Sequence, residues 1–334
     1  MKKFIVSPAP HVHSNRTTRS LMGDVLIALA PSLLVSIYFF GFSAVKLVAI
    51  GVIACCFVEY LIQKYIIKTK PTVSDLSAAV TGCLLALNLP PNSPWWLVLV
   101  GSIFAIGVVK MSFGGLGQNI FNPAIAGRVF LLVSFPALMT DWTIPASWFE
   151  GVNALSVDGV TAATPLAAAK EALAAGTPLS EIAAYGDLSW KQMFFFKVGG
   201  SAGEVSAIAL ILGFIYLVVR KVIKPTIPVV ILATIAIMTG IFHAVNPEVY
   251  TGPLFNICTG GVLLGSIFMA TDYVTSPMTT KGQIIFAAGI GIITVLIRYF
   301  GAYPEGVSFA ILIMNCVVPL INKYCKPRRF GEVK

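Results

Sequence analysis

The chain has 334 residues, of which 57% are hydrophobic and only 11% charged, and a mean hydropathy of +0.87. That composition excludes an ordinary soluble domain and places the chain in a bilayer. The net charge of +9 points either to nucleic acid or to membrane topology, and the positions of the basic residues decide between them.

Residues 1–20 are polar, proline-containing and basic, with no apolar core behind a charged start, so they read as a tail rather than a cleavable leader. Apolar runs suited to membrane spans follow near residues 21–40, 44–62, 77–89, 95–109 and 122–138. After a polar stretch, five more lie near 203–219, 228–242, 254–270, 283–299 and 307–321. A spanning helix needs about 20 mostly apolar residues, and the pattern predicts an all-α polytopic protein of about ten transmembrane helices. Its parts are a tail (1–20), a five-helix half (21–138), a loop (139–202), a second five-helix half (203–321) and a tail (322–334).

With the N-terminus inside, 17 of the 23 lysines and arginines fall on the cytoplasmic side. Lys46, Lys170, Lys191, Lys197 and Arg298 fall outside, and Arg128 lies within the fifth run. This asymmetry predicts that both termini are cytoplasmic and that the loop 139–202 is extracytoplasmic. It also assigns the basic excess to anionic membrane lipid rather than to nucleic acid.

An odd number of spans per half makes any duplication inverted, an arrangement that builds sites from broken helices. Thr81–Pro94 (TGCLLALNLPPNSP) and Gly260–Pro277 (GGVLLGSIFMATDYVTSP) are both short apolar runs that end in proline-containing polar stretches. They fit two inverted five-helix repeats, and they fit equally well the close packing of small-residue helices.

Within the outer loop, Pro165 and the alanine-rich run behind it predict a helix starting near Thr164, with Thr164 as its N-cap. That hydroxyl would stand at the positive end of a helix, a place suited to phosphate, and it reads equally as a plain cap. The run FGGLGQNIFNPAIAGRVF (Phe113–Phe130) has neither a preceding strand nor a Gly-Lys-Ser/Thr, so it is not a P-loop. Asn119, Asn122 and Arg128 are costly to bury without a partner or ligand, and Gly114 and Gly115 allow close backbone approach. Both a ligand pocket and a tight re-entrant turn satisfy that run. Of the near-membrane carboxylates Glu59, Asp75 and Asp272, Glu59 reads as interfacially solvated, and Asp272 is the strongest candidate for an ion pathway. Six cysteines without a C-x-x-C pair, and His11 and His13 without further ligands, indicate neither a metal nor an iron–sulfur site.

The run Asp158-Gly159-Val160-Thr161-Ala162-Ala163-Thr164 resembles the flavinylation motif Asp-Gly-x-Ser/Thr-Gly-Ala-Thr of the Rnf and Na⁺-translocating NADH:quinone reductase families, with Ala162 where that motif most often has Gly. Ser74–Pro91, Phe113–Phe130 and Met269–Gln283 are similar to the same two families in order and spacing. The short SPAPHVHSN opening is closer to the D subunits of Rnf complexes than to the B subunits of the quinone reductase.

The resemblance implies a urea-transporter-like fold of two inverted five-helix repeats in a bacterial or archaeal cell membrane. It implies FMN joined through its phosphate to Thr164 by a flavin transferase, with Asp158 and Thr161 as motif residues. It also implies a non-covalent riboflavin, for which Gly114, Gly115, Asn119 and Asn122 form the candidate pocket. The chain would then pass electrons to a second flavin-bearing subunit, in a complex that couples ferredoxin oxidation and NAD⁺ reduction to Na⁺ or H⁺ translocation. Lacking a dinucleotide fingerprint or a cluster cysteine set, it would have no complete activity alone. The alternatives are a B subunit of the quinone reductase, or a solute channel or transporter of the same fold.

Overall fold

The structure is a computed structural model that describes residues 16–142, 164–175, 178 and 200–326. Those residues are helical, without strands. Helix α1 (Thr18–Phe40) starts where the Thr17 hydroxyl accepts the N–H of Ser20 at 3.2 Å, and Gly41 joins it to α2 (Phe42–Leu61), which runs on through wider turns at Ile62–Ile67. Next come α3 (Ser77–Leu87), α4 (Trp95–Ile103) with its wide-turned continuation Phe104–Met111, α5 (Pro123–Ser134) and the short α6 (Pro136–Met139). Helix α7 (Pro165–Ala175) lies in the long loop. The second half holds α8 (Ala207–Val219), α9 (Thr226–Val245), α10 (Pro253–Cys258), α11 (Val262–Leu264, continuing to Met269), α12 (Thr280–Phe300) and α13 (Val307–Tyr324).

Five of these, α1, α2 with its continuation, α9, α12 and α13, are long and apolar enough to cross a membrane. Their outward faces are apolar, with Ile27, Leu34, Ile53, Phe57, Ile237 and Ile241 exposed, while Glu59, Lys110, Arg128 and Arg298 are buried inside. That distribution inverts what water selects and matches what hydrocarbon selects.

The third predicted span is shorter than a crossing. Helix α3 has 11 residues, all buried, and at 1.5 Å per residue it covers only about 16 Å, roughly half the hydrocarbon core. Asn88 and the Pro90-Pro91 pair stop it. The carbonyls orphaned at its end are taken up from the other half of the chain: Gly203 N–H donates to the Leu87 carbonyl at 2.7 Å and Ala202 N–H to the Leu89 carbonyl at 3.1 Å. The eighth predicted span is likewise interrupted. Helix α10 ends at Cys258, and Gly260 and Gly261 adopt φ of 67° and 71° before α11 resumes, a left-handed pair that glycine accepts without strain.

Helix packing relies on small residues. A Cβ on Gly82 of α3 would stand 2.4 Å from the Gly51 carbonyl oxygen of α2, so these backbones touch directly. The main core joins α1, α3, α5 and α8 to α9–α13 through residues such as Leu29, Leu85, Ile125, Leu210, Ile231 and Phe286.

Candidate functional site

Two polar features interrupt this apolar body, one at each end of α8. The first is Thr164. As its sequence predicts, it caps α7: its hydroxyl accepts the Ala167 N–H at 3.1 Å and its carbonyl accepts the Ala168 N–H at 2.9 Å, with Pro165 in the first turn. Thr164 is buried, as are Leu166, Ala169 and Ala172, the face that α7 turns inward. Lys170 Nζ donates to the carbonyls of Tyr303 at 2.6 Å and Ile297 at 3.2 Å, which ties α7 to the end of α12. The desolvation that docking imposes pushes the Lys170 ammonium below its ordinary range. Asp158 and Thr161, the other motif positions, lie outside the described residues.

Beneath Thr164, a narrow cleft lined by Pro165, Leu166, Gly200, Glu204, Thr259, Gly260 and Glu305 leads to a cluster of four buried charges. Arg128 of α5 donates to Asn88 Oδ1 and Ser308 Oγ, each at 3.0 Å, and forms an ion pair with Glu305. Arg298 of α12 donates to the carbonyls of Asn256 at 2.6 Å, Thr259 at 2.7 Å and Gly260 at 3.2 Å and to Asn256 Oδ1 at 3.2 Å, which satisfies the broken end of α10 while its charge faces Glu204 and Glu305. Glu204 accepts from Ser201 Oγ. Sequence reasoning singled out Arg128 as a charge that needs a partner, and it missed the acids. Glu204 sits at the seam between the polar loop and the sixth run, and Glu305 sits in a Tyr-Pro-Glu-Gly turn. Both look like surface positions until the fold closes over them.

The second feature is a small cavity of about 90 Å³ at the other end of α8. Its walls are mostly apolar, with Val25, Val80, Leu84, Leu217 and Phe268 among them, and its polar groups include Ser77, Lys110, Asn119, Asn122, Thr271 and Asp272. An apolar lining with a few convergent polar groups is the usual make-up of a small-molecule site, and its walls would have to part for anything much larger than a few waters to enter. Asn122 caps α5, accepting from the Ala124 N–H at 3.0 Å, and its amide donates to the Met269 carbonyl at 3.0 Å, so it joins both halves. Asn119 donates to the Phe121 carbonyl at 2.9 Å. Gly114 and Gly115, with φ of 111° and 97°, form the turn that brings these amides to the cavity but do not line it themselves.

Asp272 is half-buried at this cavity and accepts from Thr275 Oγ1 at 3.2 Å. Burial holds its carboxyl above the ordinary carboxylate range. Glu59 is not interfacially solvated as its sequence position suggests. It is 1% exposed and paired with Lys110 Nζ at 2.6 Å, and the same ammonium donates to Ser77 Oγ at 2.6 Å. The partner comes from another helix, so the local pattern around Glu59 carries no sign of it. Among the described residues, no group of three His, Cys, Asp or Glu side chains could hold a metal, and all six cysteines are free thiols.

Residues 5–331 match the model of the NQR2, RnfD, RnfE family. The chain is 46% identical over 330 residues, covering 98% of it and 96% of the relative, to the D subunit of the Na⁺-translocating ferredoxin:NAD⁺ oxidoreductase complex of Acetobacterium woodii. It is 44% identical, with the same coverage, to the D subunit of the proton-translocating ferredoxin:NAD⁺ oxidoreductase complex of Clostridium ljungdahlii. It is 37% identical, covering 99% of both chains, to the D subunit of the ion-translocating oxidoreductase complex of Aliivibrio salmonicida.

Proposed function

Because the chain belongs to the NQR2, RnfD, RnfE family, we propose that it works as the D subunit of an ion-translocating ferredoxin:NAD⁺ oxidoreductase and carries FMN, esterified through its phosphate, on Thr164. The observation that carries the flavin assignment is the seat of Thr164. Its hydroxyl stands at the N-terminus of an 11-residue helix, where backbone N–H groups and the helix dipole favour a phosphate, and that helix is anchored to the membrane body by Lys170. The residues present therefore fit the group: Thr164 would hold it, the α7 N-terminus would face its phosphate, and the bound flavin would supply one- and two-electron chemistry. Thr164 is 5% exposed, so a flavin transferase must reach it before α7 docks or while α7 is lifted away.

The cavity beside Asn119 and Asn122 is our assignment for a second, non-covalent riboflavin, and Asp272 at its wall is our assignment for ion uptake. The two halves, α1–α5 and α8–α13, are read as inverted repeats that meet at the breaks after α3 and α10, with both termini cytoplasmic and α7 outside. Partner subunits, one of them bearing its own flavin, would supply and remove electrons. The test of the flavin assignment is denaturing electrophoresis under ultraviolet light after co-expression with a flavin transferase. The wild-type band should fluoresce, Thr164→Ser should keep fluorescence because both cap and acceptor survive, and Thr164→Val should lose it. A dark wild-type band, or equal fluorescence from Thr164→Val, refutes the assignment.

A further inference from the structure

A larger cavity, of about 590 Å³, opens beside the one that Asp272 lines, between the loop from α8 to α9, the segment 271–278 and the first turn of α12. Its polar residues include Lys221, Lys224, Ser276 and Gln283, and its described lining contains no aspartate or glutamate. Neither lysine forms an ion pair among the described residues. Lys221 stands at φ 54°, in the left-handed region just past the end of α8, where glycine would cost less. The backbone gives no reason for a lysine there, so the reason lies with its side chain. Gln283 is 9% exposed; its amide donates to the Pro277 carbonyl at 3.2 Å, and its Oε1 has no partner among the described residues. A buried acceptor without a donor is costly, and this one calls for a ligand that brings a hydroxyl or an N–H. Ile227, in the first turn of α9, also lines the cavity, and no side chain caps that helix, so its free N–H groups add to the positive field. Both α9 and α12 begin here, and both are long and apolar enough to cross a membrane. The cavity therefore lies at headgroup depth, whichever leaflet it faces.

We propose that this cavity binds a phosphate ester with free hydroxyls, the headgroup of an anionic glycerophospholipid such as phosphatidylglycerol. Lys221 and Lys224 hold the phosphate, and Gln283 Oε1 accepts from a headgroup hydroxyl. A phosphate ester free in the cytoplasm offers the same anion and the same hydroxyls, but it has no chain to cover Val218, Ile223 and Met278, which also line the cavity. Met278 is 80% exposed, and Val219 and Val229, at 73% and 52%, carry the apolar surface on along the flanking helices. Lipid phosphate is also the anion that a membrane supplies at this depth. Val222, Ile223, Thr271 and Tyr273 line both this cavity and the one beside it, so a lipid seated here braces the wall that carries Asp272. The inference requires neither flavin on Thr164 nor ion uptake at Asp272.

Native mass spectrometry of the full chain, stripped of lipid in detergent and titrated with phosphatidylglycerol, reads the affinity of the first lipid bound. Wild type should bind phosphatidylglycerol more tightly than phosphatidylcholine, whose headgroup has no net charge and no hydroxyl. K221G and K224Q should each bind it about tenfold more weakly, the effect of losing one hydrogen bond from a charged group. K281Q, at the same end of α12 but outside the cavity, should match wild type. K221G guards against misfolding, because glycine suits the left-handed position and the variant should melt no lower than wild type before lipid is added. Wild type should prefer phosphatidylglycerol about fivefold over phosphatidylmethanol, which keeps the phosphate and lacks the hydroxyls, and Q283M should lose that preference. Equal affinity of wild type and K221G, or a loss in K281Q as large as in K221G, overturns the proposal. Displacement of the bound phosphatidylglycerol by millimolar inorganic phosphate also overturns it, in favour of a site for free phosphate.

Discussion

Lys110 and Glu59 meet at 2.6 Å with 2% and 1% of their side chains exposed, and Gln63 and Ser77 complete their hydrogen bonds. Removing one member of a buried pair leaves an uncompensated charge and costs about 3–5 kcal/mol, whereas neutralising both can be nearly free. Lys110→Met should therefore lower the melting temperature of the detergent-solubilised chain, and Lys110→Met combined with Glu59→Gln should recover most of the loss. A double variant as unstable as the single one would mean that the two charges are not coupled in the native protein. The pair also marks what residue-level reading can and cannot reach. Arg128 was legible because a lone charge inside an apolar run demands a partner, and Thr164 because a hydroxyl before Pro and an alanine run marks a helix start. Glu59 was not legible, since its partner is 51 residues away on another helix and no periodicity links them. The span count could only assign Arg298 to the outer side; that it is 3% exposed and caps a broken helix is visible in the fold alone.

Helix α3 does at the element scale what no single side chain does: it stops halfway through the body and hands its carbonyl end to Ala202 and Gly203. It can do so only because α2 lies directly against it at Gly51 and Gly82. Gly82→Val would drive a branched side chain into the Gly51 backbone, and neither helix can move away without uncovering α3, which is buried on every side. Overpacking of this kind typically costs about 1–3 kcal/mol. The expected result is a lower yield of folded chain and earlier unfolding in a thermal assay, with Gly107→Val, whose nearest neighbour is the flexible tip of Ile62 at 3.5 Å, as the mild control. Equal stability of the two variants would show that the α2–α3 contact is not tight. The apolar runs behind α1, α2, α9, α12 and α13 were readable from hydropathy alone, because a full crossing needs an uninterrupted run. The halts in α3 and α10 were visible only as prolines and glycines, which say that a helix ends but not where its orphaned carbonyls find donors.

At the scale of the whole molecule, α12 serves as a ruler. Its 21 residues span about 31 Å at 1.5 Å per residue, close to the roughly 30 Å thickness of the hydrocarbon core. Lys281 stands in its first turn, while the Ile297 carbonyl near its other end holds Lys170 of α7. A helix of this length would place its two ends on opposite sides of the membrane, and the orientation proposed from the excess of lysine and arginine puts the Lys281 end in the cytoplasm. Two exposed positions report on this directly: Ala175 at the end of α7 and Lys281. In a chain freed of its six native cysteines, Ala175→Cys should react with a membrane-impermeant maleimide added to intact cells, and Lys281→Cys should react only after the cells are opened. The reverse pattern would invert the protein and move Thr164 to the cytoplasmic side, where the proposed electron route would have to be redrawn. Labelling of both positions from one side would contradict the crossing of α12 itself, and with it the division of the body into a Thr164 end and an Asp272 end.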